Sequence, residues 1–287
     1  MDGEAPVNAR RPRWWAVGVV VALVAVVGLA ACTLWTRDDA PDVSAAGRTA
    51  AAPSAPKGLK VLVTGDSVAW AIGAFAPAGD DLPRGIASID SRAMIGCGLL
   101  TPEGWGYPQG GNDGPFTIPG GGRCEAQPDA ERKGLAERPD VVLIFPGAWE
   151  WSRVRSPNGQ IIEARSPAME ATLRARLERR IEAANAVGAR LVVVAYSCPG
   201  PDTAPVRKDP AFIAWIDGLL RSVVDDARRE GADARFLEPT DAVCVDADPT
   251  GAPTPERSRA TSNEIHVKSP EGGAWIWNAW LAPGITS

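Results

Sequence analysis

The segment Lys60-Val-Leu-Val-Thr-Gly-Asp-Ser-Val constrains the fold more than any other part of the chain. Its unbroken apolar and β-branched residues, closed by Gly65-Asp66-Ser67, read as a strand buried on both faces that delivers a serine at its carboxyl end. Two more such runs come later, Val141 to Phe145 after Pro139-Asp140, and Leu191 to Tyr196. Gly85 to Met94 and Arg235 to Leu237 read as further strands. Between them lie helical patterns. One runs from Val68 to Phe75, starting at Ser67. A second is opened by Ser166-Pro167 and stopped at Gly188, with Leu173, Leu177 and Ile181 at helical spacing. A third spans Pro210 to Glu230, closed by Gly231, and a last one begins at Ser269-Pro270-Glu271 and carries Trp275, Ile276 and Trp280. Strands alternating with helices predict an α/β domain with a parallel sheet covered on both faces. The carboxyl edge of such a sheet is where sites are built, which is where Ser67 arrives. Residues 102 to 123, dense in Gly and Pro, read as a long irregular loop.

The chain has 287 residues, and its first 57 are set apart by composition. Trp14 to Trp35 is a 22-residue stretch without a charge, enough to span a bilayer as a helix. Arg10, Arg11 and Arg13 precede it and Asp38 and Asp39 come after it, placing residues 1–13 in the cytoplasm and the rest outside. Leu29-Ala30-Ala31-Cys32 also matches a lipobox, which would make Cys32 a lipidated terminus after cleavage. Both alternatives tether the remainder of the chain to a membrane, outside the cytoplasm. Residues 36–57, rich in Ala, Pro, Ser and Asp, form a disordered linker, leaving 58–287 as one domain. A net charge of −5 with no basic block in that domain excludes nucleic acid as a partner.

Apart from Cys32, four cysteines remain, an even number suited to two disulfides in an oxidising compartment. Three pairings are open; Cys97–Cys124 with Cys198–Cys244 closes a local segment each time. Without a Cys-x-x-Cys pair, and with the single histidine otherwise engaged, no metal site is expected. That histidine is His266. A serine hydroxyl needs a base to take its proton, and His266 is the one imidazole available for Ser67. The bland alternatives are that Ser67 caps the helix after the strand and that His266 is a solvated turn residue.

With these pieces in order, residues 59–283 resemble the SGNH/GDSL hydrolase superfamily, on Val-Thr-Gly-Asp-Ser at one end and Asn-Glu-Ile-His followed by Ser-Pro-Glu-Gly-Gly-Ala at the other. Gly-Cys-Gly-Leu and Gly-Ala-Trp-Glu make the chain most similar to extracytoplasmic SGNH domains associated with bacterial surface-glycan O-acyltransferases. The resemblance implies a flavodoxin-like three-layer αβα sandwich and serine-dependent ester hydrolysis or acyl transfer, with no cofactor. It implies Ser67 as nucleophile, His266 as base, and the backbone N–H groups of Ser67 and Gly96 as the oxyanion hole, with Gly147 opening the third block. Two departures stand out. The third block, usually Gly-x-Asn-Asp, reads Gly147-Ala148-Trp149-Glu150, so an amide donor worth about 3 kcal/mol is lost or supplied differently. The acid three residues before the histidine is Asn263, which can orient the imidazole without offsetting its charge; Glu264 is one residue out of place.

Asp66, Trp105, Trp149 and Glu150 are the substrate-contact candidates. Trp105, in the Gly-Pro loop, is the better sugar contact, and core packing is expected for Trp70 and Trp149. The expectation is a membrane-anchored, extracytoplasmic domain of a bacterial cell, acting on acetyl or similar small acyl esters of a cell-envelope glycan, with a membrane O-acyltransferase as a partner. The alternative of another class is a non-catalytic glycan-binding or partner module on the same fold, which Asn263 and Trp149 favour.

Overall fold

A computed structural model describes residues 58–100, 104–108, 114–117, 119–146, 149, 152–200, 208–262 and 266–287. In chain order the elements are β1 (Leu59–Gly65), α1 (Ser67–Ala74), β2 (Ile86–Ser91), β3 (Tyr107–Pro108), β4 (Phe116–Thr117), α2 (Gln127–Ala136) and β5 (Val141–Phe145). Then come β6 (Val154–Arg155), β7 (Ile161–Ile162), α3 (Pro167–Ala186), β8 (Arg190–Val194), α4 (Pro210–Arg229) and β9 (Ala234–Leu237). The last stretch holds α5 (Pro255–Ala260), β10 (Thr261–Ser262), β11 (His266–Val267), α6 (Pro270–Ile276), a π-helical turn over Trp277–Leu281, and α7 (Ala282–Thr286).

Five strands form one sheet in the order β2-β1-β5-β8-β9, and every neighbouring pair is parallel. Counting only these strands, the order is 2-1-3-4-5, the flavodoxin-like arrangement, with its switch point between β1 and β5. Alternation along each strand feeds two cores. Leu62, Val142, Ile144, Leu191 and Val193 face a cluster completed by α3 and α4. Val61, Val63, Val141, Leu143, Val192 and Val194 face a second cluster completed by α1, α6 and the π-turn. The result is a three-layer α/β sandwich.

The helix boundaries follow local chemistry. Ser166 Oγ accepts from Met169 N and Pro167 occupies the first turn of α3, while Gly188, at φ +82°, supplies the left-handed stop. Asp209 caps α4 and Gly231, at φ +95°, ends it. One helix departs from expectation: α2 lies in a region without an apolar stripe. It packs because Gly134 lets its backbone close on β1; a Cβ there would come within 2.6 Å of Leu62 Cδ1. The segment read as an irregular loop also holds the β3–β4 ribbon.

Both disulfides are those the local-closure argument chose, Cys97–Cys124 and Cys198–Cys244. Among the described residues no helix is long and apolar enough to cross a membrane. The expected span, 14–35, and the linker lie outside them.

Candidate active site

The turn from β1 to α1 is built to present Ser67. Gly65 has φ +135°, and a Cβ on it would sit 2.2 Å from Phe145 O on the neighbouring strand, so no other residue fits. Asp66 comes next in an extended conformation, and its Oδ1 accepts the Val68 N–H at 2.9 Å. Asp66, not Ser67, is therefore the helix cap. That removes the capping alternative for Ser67, whose hydroxyl stands at the first helical position and is free for other work. Asp66, expected against substrate, borders the cleft, and its buried carboxylate holds the first turn of α1.

His266 comes from the opposite end of the chain on a two-stranded antiparallel ribbon, in which Ser262 pairs with His266 and Thr261 with Val267. Its Nε2 lies 2.9 Å from Ser67 Oγ. With the imidazole proton on Nδ1, the hydroxyl donates to Nε2, the arrangement a general base requires. His266 is not a solvated turn residue.

Gly96 lies in a turn, φ +82°, closed by the Cys97 N–H donating to Met94 O at 3.1 Å. Met94 N in turn donates to Gly65 O at 3.0 Å, and Gln127 Nε2 to the same oxygen at 3.2 Å. These bonds and the Cys97–Cys124 disulfide hold the turn beside the carboxyl end of β1. From Ser67 a cavity of about 70 Å3 opens between the ends of β5 and β8, walled by Phe145, Val194, Tyr196, Trp149, Trp280 and Arg257 among others. By that measure a single water needs some 10–15 Å3, so a small acyl group fits.

The tryptophans exchange roles relative to expectation. Trp149 does border the cavity, packing edge-on against Tyr107 with ring centroids 5.6 Å apart. Trp105, the expected sugar contact, is only 7% exposed, belongs to the core cluster that α3 and α4 complete, and is not among the residues bordering the cavity. Trp70, expected in the core, is 43% exposed one helical turn after Ser67. Gly147, Glu150, Asn263 and Glu264 lie outside the described residues. Sequence reasoning missed Arg257, Tyr196 and Thr261, which all border the cavity. The run Thr254-Pro255-Glu256 signals a helix start and could have placed Arg257 on a helix; nothing in it signals burial. Among the described residues no group of three His, Cys, Asp or Glu side chains could hold a metal ion.

No family model and no curated protein matches the chain. Solved structures do. A mutant of Axe2, an acetylxylan esterase from Geobacillus stearothermophilus, is 12% identical over 82% of this chain and 97% of its own, with a TM-score of 0.43. A carbohydrate esterase family 2 enzyme with a carbohydrate-binding domain, from Corynascus thermopiles (Myceliophthora fergusii), is 14% identical over 82% of this chain and 69% of its own, TM-score 0.41. A candidate SGNH hydrolase from Slackia heliotrinireducens is 17% identical over 79% and 99%, TM-score 0.40. At these scores the likenesses carry no weight beside the geometry of the site.

Proposed function

We propose that the chain is an SGNH-type serine esterase or O-acyltransferase, acting on small acyl esters, acetyl above all, of a cell-envelope carbohydrate. The observation that carries this is the Ser67 Oγ–His266 Nε2 approach of 2.9 Å at the carboxyl edge of β1, opening on a cavity of acyl size. Ser67 attacks the ester carbonyl as His266 takes its proton. The oxyanion that forms meets the N–H of Ser67, at the positive end of the α1 dipole, and the N–H of Gly96 from the adjoining turn. Gly147 is assigned the third position of that hole, and Asn263 the part of orienting the imidazole. His266 then returns the proton to the leaving sugar alcohol, and the acyl group passes from Ser67 to water or to another sugar hydroxyl. Trp149 and Glu150 are assigned to the alcohol side of the substrate.

Residues 14–35 anchor this domain on the outer side of a bacterial cell membrane, beside a membrane O-acyltransferase. The uncharged stretch and its flanking arginines support that reading. A binding module is the second reading, favoured by Trp149 at the cleft where the family places an amide donor.

The test is acetyl release by the full-length protein from an activated acetyl ester and from acetylated envelope glycan, with Ser67→Ala and His266→Ala beside it. Turnover by the parent that each substitution reduces at least 1000-fold is the expected result. Equal release from all three folded proteins overturns the esterase reading and leaves the binding module.

A further inference from the structure

Arg257 is a buried charge that the reaction above leaves unused. It lies on α5 with 6% of its surface exposed. Its Nη2 donates to Ser197 O at 3.0 Å and its Nη1 to Ser197 Oγ at 3.3 Å, just past the end of β8. The same Nη1 lies 2.6 Å from Cys198 Sγ and 3.7 Å from Cys244 Sγ, the two sulfurs of one disulfide. A desolvated guanidinium is costly, and its planar fork is used here to bridge a strand end and a disulfide.

The other side of α5 leads to the catalytic base. Ala260 runs directly into β10. Thr261 Oγ1 donates to Arg257 O at 3.0 Å, and Lys268 N, two residues past His266, donates to Ala260 O at 3.2 Å. Six residues of helix have no stability of their own, so the place of α5 is set by what grips it. One grip is Thr254, which caps the helix and donates its Oγ1 to Ala242 O at 2.8 Å. Another is the close approach of α6, where a Cβ on Gly272 would come within 2.4 Å of Ala260 O. Arg257 grips it from the catalytic cleft, which its own side chain borders.

We propose that Arg257 is a positioning residue for His266: it locks α5 to the end of β8 and to the Cys198–Cys244 disulfide, and so fixes the β10–β11 ribbon that aims the imidazole at Ser67. The idea rests on the esterase reading for its catalytic consequence, though not for its geometry.

The chain has one histidine, so full-length protein labelled with 13C in the histidine ring gives a single imidazole signal. The experiment compares its pH titration, and ester turnover, in the parent, Arg257→Met, Arg257→Lys and the double variant Cys198→Ser, Cys244→Ser. The expected result is a displaced imidazole titration in Arg257→Met and the double variant, partly restored in Arg257→Lys. It is accompanied by a fall of roughly 100-fold in kcat, the scale of a misplacement of about 1 Å, with KM little changed. An imidazole that titrates as in the parent, in folded Arg257→Met, overturns the proposal. If Arg257→Met does not fold, Arg257→Lys decides alone: it keeps the charge but loses the fork, so a parental titration there overturns the idea and a displaced one supports it. A displaced imidazole in a protein whose parent releases no acetyl upholds the positioning role and removes the esterase reading. Parental turnover with an undisplaced imidazole does the reverse.

Discussion

Where β1 gives way to α1, Gly65 at the strand's end and Asp66 after it make the turn from strand to helix, and each is of the type its backbone demands. Gly65 passes within van der Waals reach of β5 at a φ that L side chains avoid. Gly65→Ala combines that strain with a clash against backbone and is expected to cost about 3–5 kcal/mol, read as a lower denaturant midpoint. Asp66 relieves Ser67 of capping. Asp66→Ala is therefore expected to cost only about 1 kcal/mol of stability. Its effect on kcat is expected to be larger, because a frayed first turn lets Ser67 drift from His266. Asp66→Asn, which keeps the acceptor, retains most of both. A kcat that tracks stability alone across the three proteins removes this account of the cap. These residue-scale features were legible only in part. Gly-Asp-Ser at the end of an apolar run announces the turn, but which of Asp66 and Ser67 caps the helix is a matter of side-chain geometry.

At the scale of elements, what the sequence disclosed depended on periodicity. β5 was legible to the residue because Val141 to Phe145 is buried on both faces. The ends of α3 and α4 were legible because Ser166, Pro210, Gly188 and Gly231 are residues with a backbone reason to stand there. α2 was not, since its contact with the sheet is made by a glycine. The β10–β11 ribbon was not either: two paired residues have no period, yet they carry the imidazole that faces Ser67. Trp70 and Trp105 were misjudged because only tertiary placement decides which tryptophan is covered. The irregular segments lean on covalent ties instead. Cys97–Cys124 spans 27 residues, about 3.5 kcal/mol of loop closure in the chain-entropy model. The double variant Cys97→Ser, Cys124→Ser is expected to lose about 2–4 kcal/mol in urea unfolding, and a loss below about 1 kcal/mol would mean the Gly96 turn is held without the bridge.

At the scale of the whole molecule, Asp217, on the inner face of α4, is a carboxyl with leverage near neutral pH. It is buried; its Oδ1 accepts the Tyr196 N–H at 2.8 Å, and its Oδ2 is buried without a hydrogen-bond partner. Burial pushes its pKa up from 3.8 to about 7, and neither the Tyr196 N–H nor the nearby Arg221 charge is enough to hold it down. The unfolded chain keeps the ordinary value. Between those two values the native state binds a proton the unfolded state lacks, so this group favours folding as pH falls and withdraws that support as pH rises towards 7. Above about 7 both states are ionised and the dependence ends. Asp209, Asp248, Glu256 and Glu271 act oppositely, but hydrogen bonds lower their pKa values, so their window lies below the ordinary 3.8 to 4.5 of such carboxyls. The interval from pH 5 to pH 8 therefore isolates Asp217 among these carboxyls. Asp217→Asn keeps the acceptor for Tyr196 N–H and cannot ionise. The parent is expected to lose about 2–4 kcal/mol of unfolding free energy across that interval, and Asp217→Asn markedly less. The comparison of slopes matters more than the absolute stabilities, since the new amide donor is itself left without a partner. Parallel pH profiles for the two proteins would show that Asp217 ionises as readily folded as unfolded, and that water reaches the end of β8 beside the cleft.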